Sequence, residues 1–144
     1  MVVDRLLTVL IVLASAFACT SGGGSTSSTS STTSPTASVT TENFTGTVDV
    51  GGKDVHPFTV ALSGGQINAI LTAAGPPSTI FMGLGVGTYS SGTCTLLSNG
   101  YLVTQAGATA QLSGTVNAGS YCVMVYDAGN QTASITYAVT VNHY

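Results

Sequence analysis

Residues 117–144 read NAGSYCVMVYDAGNQTASITYAVTVNHY, and this stretch decides the fold class. Tyr121, Val123 and Val125 alternate with Cys122, Met124 and Tyr126. The alternation stops at the turn residues Asp127, Gly129 and Asn130. It resumes as Ile135, Tyr137, Val139 and Val141 against Ser134, Thr136, Ala138 and Thr140. An apolar side chain at every second position is the period of a strand with one buried face. β-Branched and aromatic residues suit that pleated surface. Two such runs split by a Gly/Asn turn predict a β-hairpin. Tyr121 and Tyr137 then look inward, and Cys122, Met124 and Tyr126 occupy the outer face.

The same period recurs upstream, between turn residues. Phe44, Gly46, Val48 and Val50 form one inward set, ended by the turn GGKD at 51–54. Phe58, Val60 and Leu62 form the next, then Ile67, Ala69 and Leu71, ended by Gly75, Pro76 and Pro77. Ile80, Met82, Leu84 and Val86 alternate with Phe81, Gly83 and Gly85. Cys94 lies on a short strand ended by Ser98, Asn99 and Gly100; residues 101–104 form another. Ala110, Leu112, Gly114 and Val116 lead into the final pair. No stretch keeps a helical period. The expectation for residues 42–144 is all-β: an antiparallel two-sheet sandwich, jelly-roll or immunoglobulin-like, of about seven to nine strands. Its Thr, Ser and Asn set should face water.

The amino terminus has a different character. Residues 1–18, MVVDRLLTVLIVLASAFA, carry Arg5 and then an apolar run over 6–18. That run is shorter than the roughly 20 residues a spanning helix needs. It fits a secretory signal peptide. Ala16, Phe17 and Ala18 before Cys19 resemble the bacterial lipobox, in which the cysteine becomes the lipidated amino terminus. The same Ala-x-Ala is a site for ordinary signal peptidase, so a freely secreted product is the alternative. Cysteine arithmetic favours lipid. The chain has three cysteines, an odd count for an exported protein. With Cys19 lipidated, Cys94 and Cys122 remain as a pair for a disulfide in an oxidising compartment. Residues 19–41, nearly all Ser, Thr and Gly, cannot bury enough apolar area to offset ordering, and read as a disordered tether.

Charge narrows the partners. Only 5% of residues are charged and the net charge is −3. A chain with two Lys and Arg in all cannot neutralise a phosphate backbone. Nucleic acid is excluded, as is electrostatic docking on anionic lipid. Contact with a membrane would come from the Cys19 lipid, at the outer membrane or cell surface.

Four motifs carry a family resemblance: FTGTV at 44–48, DVHPFTV at 54–60, AGSYCVMVYD at 118–127 and YAVTV at 137–141. In this order they resemble the bacterial pre-peptidase C-terminal domain, over nearly all of residues 42–144. The resemblance implies a non-catalytic, jelly-roll-like sandwich of the kind appended to secreted proteases. Some members of that family bind calcium through clustered acids.

Residues with catalytic chemistry are few. His56 and His143 are the only histidines able to act as a base near neutral pH. His56 precedes Pro57 at the start of a strand and His143 lies at the chain's end, so both read as surface or strand-end residues. Asp54 and His56 share one strand face but are too few for a metal site. Asp49, Asp54 and Asp127 are the Ca2+ candidates, if they meet at one end of the sandwich; turn capping is the competing role. Gly83, Gly85 and Gly87 follow a strand without opening a helix, which fits close sheet packing or bulges rather than phosphate binding. No Trp is present, and Tyr89, Tyr101, Tyr126 and Tyr144 make a poor sugar platform. The sequence therefore predicts no enzyme and no cofactor. It predicts a binding or structural module for a protein or glycan partner. The alternatives are a freely secreted chain that self-associates through unguarded edge strands, and an accessory domain related to secreted peptidases.

Overall fold

The computed structural model describes residues 38–61 and 63–144. The predicted signal peptide, Cys19 and residues 19–37 of the tether lie outside the described residues, as does Leu62. Eight strands form: β1 (Thr40–Val48), β2 (Lys53–Val60), β3 (Gly65–Gly75), β4 (Met82–Ser90), β5 (Thr93–Thr104), β6 (Leu112–Val116), β7 (Gly119–Asp127) and β8 (Ile135–His143). They make two antiparallel sheets, ordered β1-β8-β3-β6 and β2-β7-β4-β5. β4 pairs with β5, β3 with β6, β2 with β7 and β1 with β8. One long nested hairpin, rolled into two layers, is the jelly-roll arrangement. Thr40 and Thr41 belong to β1, so the domain starts inside the predicted tether.

The predicted hairpin of residues 117–144 is the main correction. β7 and β8 do not pair; they lie in different sheets. β7 pairs with β2 and β4, while β8 pairs with β1 and β3. The faces follow the alternation. Tyr121, Val123 and Val125 meet Ile135, Tyr137, Val139 and Val141 within one buried core. An inward set every second residue says that a face is buried, not which strand lies beside it. The connection decided the matter. Residues 128–134 exceed the two to five residues of common hairpin loops, and they arch from one sheet to the other. Asp127 holds the arch, with Oδ1 accepting from the backbone N–H of Gly129, Asn130 and Gln131 at 2.7, 3.2 and 3.3 Å.

Ile67, Ala69 and Leu71 of β3 and Met82, Leu84 and Val86 of β4 complete the core. Each of these side chains larger than alanine contributes about 1.5–3 kcal/mol by leaving water. Three residues assigned inward are exposed: Val50 in the turn after β1, Ala110 before β6, and Gly114 within β6. The two short strands expected around residue 98 are one strand, β5, interrupted by an outpocket. Gly85 pairs with Tyr101 and Gly87 with Leu96, so Val86 alone spans residues 97–100.

The glycines of β4 do pack closely. A Cβ on Gly83 would overlap the Tyr126 ring, one on Gly85 the Leu96 δ-carbons, and one on Gly87 the β5 backbone at Thr95. The register also shifts between Gly85 and Gly87. β5 thereby curls over β4, and Cys94 reaches Cys122 on β7 with Cα atoms 5.9 Å apart. Cys122 lies outside the core cluster, on the outer face, as the alternation predicts. It is nevertheless 0% exposed, and Met124 beside it is also buried. The outer face of β2-β7-β4-β5 is therefore not the polar surface expected. Phe81, Tyr101 and Val103 stand on or beside it at 48%, 54% and 54% exposure. The outer face of the other sheet is polar as predicted, laced by Thr41–Asn142, Thr140–Asn43 and Ser113–Asn68 hydrogen bonds.

Candidate functional site

The sandwich has two lateral edges, and they are built differently. At one edge β1 faces β2. Tyr137 Oη donates to Asp54 Oδ2 at 2.7 Å and lies 2.7 Å from His56 Nε2. A phenol has one proton, and here it points at the carboxylate. His56 Nε2 must then be the donor to the phenol oxygen, which fixes an N–H on that nitrogen. The Phe44 ring stacks on the imidazole, centroids 4.7 Å apart and planes 12° apart. Burial first, then the hydrogen bond and charge of Asp54, push the Tyr137 phenol far above its ordinary range. Gly46 of β1 lies over this group; a Cβ there would overlap Asp54 Oδ2 and crowd Tyr137 Oη at 2.7 Å. The edge is shut by a polar cluster with a backbone laid across it.

Both histidines correct the sequence reading. His56 sits mid-strand in β2 and is half-buried. His143 ends β8, as expected, but is only 3% exposed. Its Nε2 donates to Glu42 Oε1 at 3.0 Å, and its ring centroid is 5.2 Å from that of Phe58. A half-polar period hid this: β8 places His143 in register with its inward valines, so an imidazole closes the core's end.

At the opposite edge β5 faces β6, and here the two layers part. A cleft of about 340 Å3 has Ile67, Val86, Leu97, Leu112 and Val116 as its apolar lining. Ser98, Asn99, Ser113 and Thr115 supply neutral polar groups. No lining residue is charged, and neither histidine is among them. Gly114 is one of its lining residues, exposed in the cleft and on the same face of β6 as Leu112 and Val116. A Cβ on Gly114 would meet nothing within 4 Å. Gly114 carries no positive φ either. Glycine inside a strand costs about 0.5–1 kcal/mol relative to alanine. Neither packing nor backbone conformation demands it here, and its missing side chain is part of the cleft's volume.

The calcium candidates are held apart by other partners. Asp127 is held below its usual carboxylate range by backbone N–H groups, first Gly51 and then Gly129, Gln131 and Asn130. Asp49 Oδ1 accepts from Ser134 Oγ at 2.6 Å, and Asp54 belongs to the Tyr137 cluster. Among the described residues no group of three or more His, Cys, Asp or Glu is arranged to hold a metal. A groove on the outer face is lined by Lys53, Leu96, Tyr101, Met124, Tyr126 and Asp127.

Sequence reading missed both edges. The signal for them is a repeat: FTGTV in β1 and LSGTV in β6 put a glycine between two inward apolar residues at each end of one sheet. Neither the protein-family models nor the curated proteins compared with the sequence give a match.

Proposed function

We propose that this chain is an exported, non-catalytic binding module of the cell envelope. It is held to the membrane through lipid on Cys19 and takes an uncharged ligand in the cleft between β5 and β6. The observation that carries this reading is Gly114, a strand glycine that no neighbour requires and whose absent side chain leaves an apolar-lined space open. Pockets that combine apolar walls with a few neutral hydrogen-bonding groups suit small or extended neutral ligands. The titratable cluster of Asp54, Tyr137 and His56 lies at the other edge, under the β1 backbone, away from this space. The resemblance to pre-peptidase C-terminal domains supports the same non-catalytic role.

The test is a thermal-shift screen of neutral peptides and oligosaccharides against the wild type and Gly114→Val. A ligand that raises the wild-type Tm and leaves the variant unmoved supports the reading. A screen in which every stabilising ligand acts equally on both proteins would overturn it. Mass analysis of the mature amino terminus checks the anchor; an unmodified Cys19 thiol removes it.

A second reading is a freely secreted chain that assembles with itself. It draws on the outer face of β2-β7-β4-β5, where Val103 and Tyr101 stand opposite Gly83 and Gly85, with Phe81 beyond. Sedimentation of wild type against a Phe81→Ser, Tyr101→Ser variant separates the two. Concentration-dependent association lost in the variant favours assembly.

A further inference from the structure

Three features of the β5–β6 edge narrow the chemistry of its occupant. The first is the free side of β6. β6 pairs with β3 from Ala69↔Leu112 to Gly65↔Val116, and no strand borders its other side among the described residues. A bare edge presents unpaired N–H and C=O groups to any extended chain. The other edges carry guards. β2 has Lys53 and Pro57, the latter lacking a donor; β1 has Glu42; β5 is broken by its outpocket. β6, LSGTV, has none.

The second feature is the cleft beside that edge. A strand added to a sheet sends alternate side chains to the same face. Those on the inner face of a strand added to β6 would enter the space lined by Ile67, Val86, Leu97 and Val116. The third feature is what the lining lacks. It contains no aromatic ring on which a sugar could stack and no charge to bind an ionic group.

We propose that the β5–β6 edge captures an extended, uncharged peptide segment bearing aliphatic residues at alternate positions, which pairs with β6 as an additional strand. Backbone pairing supplies the hold, and the Gly114 space selects the side chains. This inference rests on the cleft being the binding site. It adds the identity of the ligand and the use of the sheet edge.

The probe is a fluorescein-labelled, C-amidated peptide Ser-Leu-Thr-Val-Thr-Leu-Ser, titrated with the whole chain and read by anisotropy. Unlabelled competitors carry N-methyl groups on either the odd or the even amides. The expected result is saturable binding, weakened at least 30-fold by Gly114→Val. One N-methyl series should compete at least 10-fold worse than the parent while the other competes normally, because only alternate amides face β6. The Gly114→Val protein should keep the wild-type circular dichroism and an equal or higher Tm, so lost binding is not lost folding. Two N-methyl series that compete equally would overturn strand addition. So would a neutral oligosaccharide that binds in a Gly114-dependent way where the peptide does not; that result keeps the cleft and removes the peptide. Self-association that Gly114→Val abolishes without any peptide would assign the edge to a second copy. Absence of any ligand sensitive to Gly114→Val would remove both the cleft reading and this one.

Discussion

The two lateral edges of the sandwich are built from nearly the same sequence and do opposite things. β1 carries FTGTV and β6 carries LSGTV, at the two ends of the sheet β1-β8-β3-β6. Gly46 and Gly114 occupy equivalent positions in the two motifs. At Gly46 glycine is compulsory, because Asp54 and Tyr137 fill the room a side chain would need. At Gly114 the room is empty. A glycine in a strand thus records either a neighbour that has come close or a neighbour that is missing, and only the facing sheet tells which. β2 offers the first edge a carboxylate and an imidazole; β5 leaves the second with the recess behind residues 97–100.

The largest expected effect tests what keeps the open edge in place. Cys94 ties β5 to Cys122 of β7. Replacing both cysteines with alanine should cost about 3–4 kcal/mol in the chain-entropy model for this loop. Amide exchange should rise more in β5 than in β1. Equal exchange at both edges would break the comparison. Gly46→Ala comes next. It should cost about 2–3 kcal/mol through overpacking and loss of the Asp54–Tyr137 hydrogen bond, read by urea denaturation. Gly114→Ala in the same assay should gain about 0.5–1 kcal/mol. The same sign for both substitutions would mean that the edges are alike.

Tyr137→Phe sharpens the closed side. Asp54 and His56 lose their shared partner, at a cost of about 1–2 kcal/mol near neutral pH. The sign of the pH dependence follows from the raised phenol. The folded state keeps this proton after an unfolded chain has begun to release it near pH 10. That stabilisation is complete below pH 10 and declines as pH rises above it. Denaturation between pH 8 and 11 should show the decline in the wild type and its loss in Tyr137→Phe. The smallest effect lies at Asp127, whose carboxyl titrates below its usual value. Its contribution is present above about pH 4 and fades as pH falls through the lowered value. Asp127→Asn should flatten this acid limb while leaving both edges unchanged at pH 7.

The fold was legible in the sequence wherever burial alone produces a pattern. Val123, Val125, Val139 and Val141 announce inward faces because every second residue must avoid water. Strand partners were not legible, because β7 and β8 would carry the same alternation whether side by side or opposed across the core. The outer face of β2-β7-β4-β5 was misread for a related reason. Gly83 and Gly85 leave space over β4 that Tyr126 and Leu96 fill, so residues assigned to water became a second layer. His143 and His56 were misplaced because an imidazole satisfied by Glu42 or Tyr137 needs no solvent, and such partners are distant in sequence. Gly114 carries no mark of its own; its meaning depends on Val86 and residues 97–100, which fold back from another sheet.

The nested pairing of strands also has a consequence in time. β4 and β5 are joined by a tight turn, β3 and β6 enclose them, and β1 meets β8 only by bringing Thr40 to His143. Loop closure becomes more costly with chain length, and non-local pairing is slow. The nesting therefore predicts that protection spreads outward from β4–β5. The β4–β5 wall of the cleft would form first and its β3–β6 wall next, and the Gly46 edge would latch last. Pulse-labelled hydrogen exchange during refolding would show β4 and β5 amides protected before those of β1; the reverse order would refute an inside-out path. A chain that folds this way exposes its bare β6 edge before it is complete, so a strand supplied by a partner could be taken up during maturation rather than after it.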